Sequence, residues 1–124
     1  MASPKTFIQL KRAYTPAEKT DGWRILVDKL WPRGVKKQDA DFNSWHKEIA
    51  PTDSLRKWFN HDQDKWPEFQ KKYSTELSQN EQALDELIKE VKQHTVVTFI
   101  FAARDEAHNN AVVLREVILS ALKK

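Results

Sequence analysis

The sequence predicts an α/β fold in which helices cover a small, mostly parallel sheet, in a three-layer, Rossmann-like arrangement. Runs of apolar and β-branched residues, typical of strands, occur at residues 7–10, 23–28 and 95–102. Helical patterns fill the chain between the last two runs and return after the third, and a helical connection between strands implies a parallel, right-handed crossover. Three strands make a narrow sheet, so we expect a fourth, short strand within the helical middle.

The first two predicted strands are separated by a loop, and the second ends in a turn. Pro16 and Gly22 mark the loop, and the middle of the second strand is almost continuously apolar, as in a buried strand. The strand stops at the Trp-Pro-Arg-Gly sequence of residues 31–34, because proline cannot extend a ladder and glycine tolerates positive φ. We therefore predict a fixed turn that exposes Arg33.

The middle of the chain is predicted to form several short helices. Phe42, Trp45 and Ile49 recur at helical spacing, and Thr52 or Asp53 can cap the helix that follows. The clearest amphipathic pattern lies between residues 81 and 93, and a last helix is expected from residue 112 to residue 122. The apolar stripe of the amphipathic helix should face the sheet, and it consists of Leu84, Leu87, Ile88 and Val91.

Length and composition predict one domain over residues 1–124, since a chain of 124 residues and 14.6 kDa supports a single core. The chain has no cysteine, which excludes disulfides, thiol nucleophiles and thiolate metal sites and fits a reducing compartment. The longest apolar run is too short to cross a bilayer, and the first residues contain no signal-peptide core. We therefore expect a cytoplasmic protein with no membrane partner.

Positive charge is concentrated in the first third of the chain. The formal net charge is +3, but residues 1–37 contain nine Lys or Arg against three Asp or Glu, whereas the remainder contains twelve against fifteen. Such an asymmetry suits an anionic ligand or a nucleic acid, although surface lysines are often no more than solvated side chains. If this protein binds nucleic acid, its amino-terminal cations should lie together on one exposed face. These cations are Lys5, Lys11, Arg12, Lys19, Lys36 and Lys37.

The third predicted strand ends abruptly in charged, imidazole and amide side chains. These residues, 104–110, lie between a strand and a helix, where open α/β sheets bind ligands and the helix dipole favours anions. Arg33 and Arg104 each follow a strand, and parallel strands bring their carboxyl ends together. The two arginines could therefore bind one anion bidentately. The alternative is that each is a structural clamp, paired with Asp28, Asp62 or Asp105.

His108 offers an imidazole near the predicted start of the last helix. Because histidine titrates near neutrality, it is a candidate general acid or base, which Asp105 could orient while Asn109 fixes the ligand. The alternative is that Asn109 caps the helix and His108 is a capping or packing side chain. His61 and Asp62 form a second candidate acid/base pair, or else a clamp between helices.

The sequence predicts neither a metal site nor a bound cofactor. A metal would need His61, His108 and a carboxylate, but the histidines are far apart and no paired spacing such as His-x-x-x-His is present. With only Gly22 and Gly34, the chain has no glycine-rich phosphate loop, and no serine lies in a nucleophile elbow.

Three stretches combine unusual motifs in a fixed order. They read Arg-Ile-Leu-Val-Asp-Lys-Leu-Trp-Pro-Arg-Gly at residues 24–34, Leu-Arg-Lys-Trp-Phe-Asn-His-Asp at 55–62, and Ala-Ala-Arg-Asp-Glu-Ala-His-Asn-Asn-Ala at 102–111. Together they resemble the YeaO-like proteins, the family of domain of unknown function 488, from about residue 7 to residue 119. The resemblance implies a compact bacterial α/β domain but no reaction, and Lys29 stands where the family usually has arginine. The family's motif positions correspond to Arg24, Asp28, Arg33, Arg56, His61, Asp62, Arg104, Asp105, His108 and Asn109.

Two functional hypotheses follow from these residues. In the first, the domain binds a phosphate-bearing or carboxylate-bearing small molecule, such as a nucleotide, and is a hydrolase or transferase if histidine moves a proton. The ligand contacts would come from Arg24, Arg33, Arg56, Arg104 and Asn109, and the acid–base groups would be His108, Asp105, His61 and Asp62. In the second, it is a nucleic-acid-binding or regulatory module. A concave pocket of motif residues favours the first, and an exposed cationic face favours the second.

Overall fold

A computed structural model describes residues 6–123 and shows a four-stranded sheet in which all paired strands run parallel. The strands are β1 (Phe7–Arg12), β2 (Trp23–Leu26), β3 (Ser44–Trp45) and β4 (Val96–Phe101), in the order β1-β4-β2-β3. The helices are α1 (Lys37–Ala40), α2 (Asp53–Phe59), α3 (Trp66–Gln79), α4 (Glu81–Lys92) and α5 (Asn110–Leu122), with short 3-10 turns at Lys19–Asp21, Lys47–Ile49 and Gln63–Lys65. The predicted α/β class with a small parallel sheet is confirmed.

The central strand, β4, pairs with β1 on one side and β2 on the other. Arg12 at the end of β1 lies opposite Phe101, and Leu26 at the end of β2 lies opposite Ile100. All three strands therefore end at nearly the same level. The segments that follow them meet at one edge of the sheet, which is where open parallel sheets bind ligands.

The two faces of the sheet are covered unequally. Side chains alternate along β4, so that Phe99 and Phe101 enter the large core formed with α2–α5, whereas Ile100 faces the other way. The cluster on the second face contains only Ala13, Leu26 and Ile100, with Trp31 and Phe42 packed against it. The segment between β2 and β3 is thus the main cover of the second face.

The first helix predicted in the middle region is wrong. Phe42 lies in a loop, Trp45 belongs to β3, and Ile49 ends a 3-10 turn. The indole of Trp45 donates a hydrogen bond to the Asp28 carbonyl at 2.7 Å, and its ring meets that of Trp31 edge-on with 5.6 Å between centroids. These long-range contacts override the helical spacing. Strand β3 is the fourth short strand that the narrow sheet led us to expect.

The later helices are present, with ends that differ by one or two residues from those predicted. Thr52 caps α2 by accepting a hydrogen bond from the Leu55 amide at 3.2 Å. In α4, Leu87 and Val91 are fully buried, and Leu84 packs against the same core. The predicted apolar stripe therefore faces inward. The longest helix of the described chain, α3, has 14 residues, and no described helix is long and apolar enough to cross a membrane.

Candidate functional site

A cleft of about 1000 Å³ opens at the carboxyl edge of the sheet. Its walls come from the segments that follow the four strands, together with α2 and the start of α3. Most of the residues that the sequence singled out meet there. The charged and hydrogen-bonding side chains of the lining include Tyr14, Asp28, Lys29, Arg33, Arg56, His61, Gln63, Arg104, Asp105, His108, Asn109 and Asn110.

Two arginines from different segments line the cleft. Arg33 lies in the turn after β2, where Gly34 adopts a φ of 83°, and Arg104 follows β4. Both side chains are exposed, and within residues 6–123 neither forms an ion pair with a carboxylate. The clamp alternative therefore does not describe these two residues. Their guanidinium groups are free to bind an oxyanion.

Arg56 and Lys29 add positive charge to the cleft but share one carboxylate. Asp53 lies 3.3 Å from Lys29 Nζ and 3.3 Å from Arg56 Nη2, and all three side chains are about half exposed. Exposed pairs of this kind contribute little to stability. Four cationic and two carboxylate side chains line the cleft, so its surface is net positive and attracts anions.

His108 and Asp105 form a hydrogen-bonded pair between β4 and α5. Nδ1 of His108 lies 2.9 Å from Oδ2 of Asp105, and Oδ1 accepts hydrogen bonds from the backbone amides of Ala107 and His108. Desolvation acts to raise the pKa of Asp105, but the hydrogen bonds from Ala107 and His108 outweigh it and lower this pKa. Asp105 is thus an ionised carboxylate that holds the imidazole in one orientation.

Asn109 is buried at the start of α5, and both ends of its amide are used within the fold. Oδ1 accepts a hydrogen bond from the Val112 amide at 3.2 Å, and Nδ2 donates to the Asp105 carbonyl at 2.8 Å. The helix-cap alternative therefore describes this residue, and such a cap contributes about 1 kcal/mol. Its contribution to the cleft is to fix the segment that carries His108.

His61 enters the cleft from an unusual backbone conformation. Asn60 ends α2 with a φ of 45°, and His61 follows with a φ of 56°, both in the left-handed region. Asp62 does not accompany it, because its side chain accepts a hydrogen bond from the Asp64 amide at 3.0 Å and does not line the cleft. The predicted pair of His61 and Asp62 is therefore separated, and only the histidine reaches the cleft.

The left-handed backbone at His61 leads to a stability prediction. His61→Gly should be more stable than His61→Ala by about 1 kcal/mol, since only glycine adopts this conformation without a steric cost. Urea denaturation of the two variants measures the difference. Gln63→Gly and Gln63→Ala are the matched control in a neighbouring right-handed turn, where alanine should be the more stable replacement. If the two His61 variants were equally stable, the left-handed backbone at this position would carry no steric cost for a side chain.

An aromatic wall connects the two histidines of the cleft. Phe59 and Phe69 stack with 4.3 Å between ring centroids, and His61 lies 6.4 Å from Phe59. Trp66 stacks on Phe69 at 5.6 Å and meets His108 edge-on at 5.2 Å. The imidazoles therefore flank one cluster of apolar rings, of which Phe59 and Phe69 line the cleft and offer contacts for the uncharged part of a ligand.

Asp28 is a cleft residue that the predicted site did not include. Its Oδ2 accepts a hydrogen bond from the Ala102 amide at 2.9 Å, and its Oδ1 accepts one from Asn110 Nδ2 at 3.2 Å. Burial raises the pKa of Asp28, although these hydrogen bonds and the charge of Arg56 act in the opposite direction. The signal was present in the sequence, because Asp28 follows the apolar run of β2 just as Arg104 follows that of β4.

Arg24 lies outside the cleft, at the amino end of β2. It is only 4% exposed, and its guanidinium donates hydrogen bonds to the buried carboxylate of Asp21 and to the Asp41 carbonyl at 3.1 Å. Arg24 is therefore a structural clamp of the kind considered for Arg33 and Arg104, with Asp21 as its partner. Its position explains the difference, since the cleft lies at the opposite, carboxyl end of the strands.

Metal binding gains no support from the geometry of the described chain. No group of three His, Asp or Glu side chains in residues 6–123 is arranged to hold a metal ion. In the cleft, Asp105 holds His108, and Asp28 accepts hydrogen bonds from Ala102 and Asn110.

Comparison with known proteins identifies the family of the chain. A family model described as the inactive DUF488-N3 subclade matches residues 7–124. The uncharacterized protein YeaO of Escherichia coli (strain K12) is 41% identical over 113 residues, which cover 91% of this chain and 97% of that protein. The chain belongs to the YeaO-like DUF488 family. The resemblance seen in the motifs is thereby confirmed.

Mycobacterial proteins are also similar to this member of the YeaO-like family. The uncharacterized proteins Rv3073c of Mycobacterium tuberculosis (strain ATCC 25618 / H37Rv) and Mb3100c of Mycobacterium bovis are each 36% identical to it over 114 residues. The alignments cover 92% of this chain and 95% of each relative. No solved structure matches the chain.

Proposed function

We propose that the domain binds a small molecule bearing a phosphate or carboxylate group in the cleft, with Arg33 and Arg104 as the contacts to the anion. The observation that carries this proposal is that two exposed guanidinium groups without a carboxylate partner in the described chain line the same net-positive cleft. Arginine is suited to this role because its planar fork binds two oxygens of one oxyanion. The other motif arginines differ, since Arg24 is buried against Asp21 and Arg56 shares Asp53.

Binding without turnover fits the cleft better than a hydrolase or transferase reaction. The matching family model describes an inactive subclade. Of the four predicted acid–base groups, Asp62 lies away from the cleft and His61 has no carboxylate to orient it in the described chain. Asp105 holds His108 through Nδ1, which leaves Nε2 as the ring nitrogen available for a hydrogen bond with a ligand. We also propose a cytoplasmic location, which the cysteine-free sequence supports.

A nucleic-acid-binding surface has weaker support. Lys11 is engaged by Glu18 at 2.9 Å and by Asp21 at 2.7 Å, and Arg12 donates to two backbone carbonyls that follow β4. These two cations are therefore occupied within the fold. Of the others predicted for that surface, Lys5 lies outside the described residues.

The anion contact can be tested at Arg104. Arg104→Ala should remove the rise in melting temperature that inorganic phosphate or AMP gives to the wild type, because binding to the folded state alone raises apparent stability. Losing a charge-assisted contact costs about 1.5–3 kcal/mol, which corresponds to an increase in Kd of about tenfold to 150-fold. Differential scanning fluorimetry and isothermal titration calorimetry measure the two quantities.

Lys36→Ala is the charge-matched control, because Lys36 is exposed at the start of α1 and does not line the cleft. It should leave phosphate and AMP binding unchanged. Short DNA and RNA duplexes test the nucleic-acid alternative. If they bind, if Lys36→Ala lowers their affinity and flattens its dependence on salt, and if Arg104→Ala does neither, the nucleic-acid function replaces the proposed one. A wild-type protein that binds neither phosphate, AMP, citrate nor nucleic acid would contradict both.

A further inference from the structure

We propose that the ligand is a nucleoside monophosphate, and that Tyr14 is the surface on which its planar base stacks. This inference rests on the proposed function, because it adds a second part to the same anionic ligand. It follows from the apolar residues at the rim of the cleft and not from the arginines that hold the anion.

Exposed apolar side chains form part of the cleft lining. Large exposed hydrophobic residues are few in the described part of the chain, and they are Phe7, Tyr14, Leu30 and Trp45. Two of these four residues line the cleft. Tyr14 is 46% exposed and Leu30 is 62% exposed. Exposed apolar groups next to a concave, charged site are typical of ligand contacts.

The ring of Tyr14 is held in place from two directions. Its hydroxyl donates a hydrogen bond to the Arg33 carbonyl at 3.1 Å, and the Arg12 guanidinium lies 5.1 Å from the ring centroid. Arg12 is itself fixed by donating hydrogen bonds to the carbonyls of Ala103 at 2.9 Å and Ala102 at 3.3 Å. A ring fixed in advance loses little conformational entropy when a ligand stacks on it.

The position of Tyr14 also sets the shape of the ligand. The tyrosine hydroxyl donates to the backbone carbonyl of Arg33, and both residues line the cleft, so the ring lies next to the turn that carries one of the two proposed anion contacts. A ligand that uses both must carry a flat ring and an anionic group joined by a short spacer. A nucleoside monophosphate has this form, and a cleft of about 1000 Å³ accommodates it.

The test compares ligands that share the phosphate and differ in the ring. In calorimetric titrations, AMP should bind the wild type about tenfold more tightly than ribose 5-phosphate, since aromatic stacking contributes that order of affinity. Tyr14→Leu keeps an apolar side chain but removes the ring, and should abolish the preference for AMP while leaving the affinity for ribose 5-phosphate unchanged. Tyr14→Phe should retain the preference.

Phe7→Leu is the matched control, because Phe7 is an exposed aromatic residue that does not line the cleft. It should keep the full preference for AMP. A second measurement uses the wild type alone: AMP should shift the Tyr14 ring proton resonances through the ring current of the base, and ribose 5-phosphate should not. This readout does not depend on the folding of any variant.

The outcomes separate this inference from the proposed function. Equal binding of AMP and ribose 5-phosphate, or a preference for AMP that survives in Tyr14→Leu, would overturn the stacking role and leave the anion site standing. Failure of Arg104→Ala to weaken ribose 5-phosphate would overturn the anion site instead. Binding of phosphate or citrate but of neither AMP nor ribose 5-phosphate would overturn the nucleotide ligand alone, and binding of none of the four would overturn both proposals.

Discussion

Asp21→Asn is expected to lower the free energy of unfolding by about 3–5 kcal/mol, a large share of the stability of a domain this size. Asp21 is buried, and its carboxylate accepts hydrogen bonds from the Arg24 guanidinium and from Lys11 Nζ at 2.7 Å. The asparagine side chain has nearly the same shape but no charge, so it leaves a buried guanidinium without a counter-charge. Urea denaturation followed by circular dichroism measures the loss.

Glu18→Gln is the matched control for this ion pair. Glu18 and Asp21 both bind Lys11 Nζ, but the Glu18 side chain is 64% exposed whereas the Asp21 side chain is buried. Neutralising the exposed carboxylate should cost less than about 1 kcal/mol. If both variants lost less than about 1 kcal/mol of unfolding free energy, the buried charge of Asp21 would contribute no more to stability than the exposed charge of Glu18.

The same ion pair makes stability depend on pH. Burial acts to raise the pKa of Asp21, but hydrogen bonds from Lys11, the Glu18 amide and Arg24 outweigh it and lower this pKa. Because the pKa is lower in the folded than in the unfolded protein, the stabilisation is complete above the unfolded value of about 4 and is lost as the pH falls through the folded value. The difference in unfolding free energy between the wild type and Asp21→Asn should therefore shrink as the pH is lowered from about 5 to the lowest pH at which the protein stays folded.

Leu87→Ala is expected to lower the free energy of unfolding by about 2–5 kcal/mol, because it removes buried methyl groups and leaves a cavity. Leu87 has no exposed surface, and it belongs to the large core between α4, α5 and the sheet. Chemical denaturation measures the change, and an unaltered slope with denaturant would show that the denatured state is unaffected.

Glu86→Ala is the control on the same helix, since Glu86 is the exposed neighbour of Leu87. Alanine is a good helix former, so this variant should change stability by less than about 0.5 kcal/mol. If Leu87→Ala had the midpoint of the wild type within error, the apolar stripe of α4 would not be part of the core.

The fold was predictable from the sequence wherever one local pattern extended over many residues. The apolar run of β4 and the stripe on α4 each specify one element and the face that it buries, and the structure contains both. Trp45 shows where this reasoning fails. Its spacing from Phe42 and Ile49 is helical, but its environment is set by Trp31 and by the Asp28 carbonyl, which are distant along the chain. Contacts of that kind cannot be found from periodicity.

The cleft was predictable in position but not in all of its members. Charged residues after two strands indicate a common edge when the strands are parallel, and this reasoning located Arg33 and Arg104. Arg24 was included among the ligand contacts although the predicted strand of residues 23–28 already puts it at the amino end, opposite the carboxyl edge where the site was expected. The backbone conformation of His61 was hidden, since neither glycine nor a recognised turn motif marks it.

The separation of the cleft from the ion pair of Asp21 and Arg24 has an evolutionary consequence. The ion pair lies away from the carboxyl edge, whereas Arg33, Arg104 and His61 are exposed there, unlike the buried cleft residues Phe59, Phe69 and Asn109. Substitutions at these three exposed positions should therefore be filtered mainly by selection on function and only weakly by selection on folding. A lineage can thus change the exposed groups of its cleft and still inherit an intact scaffold.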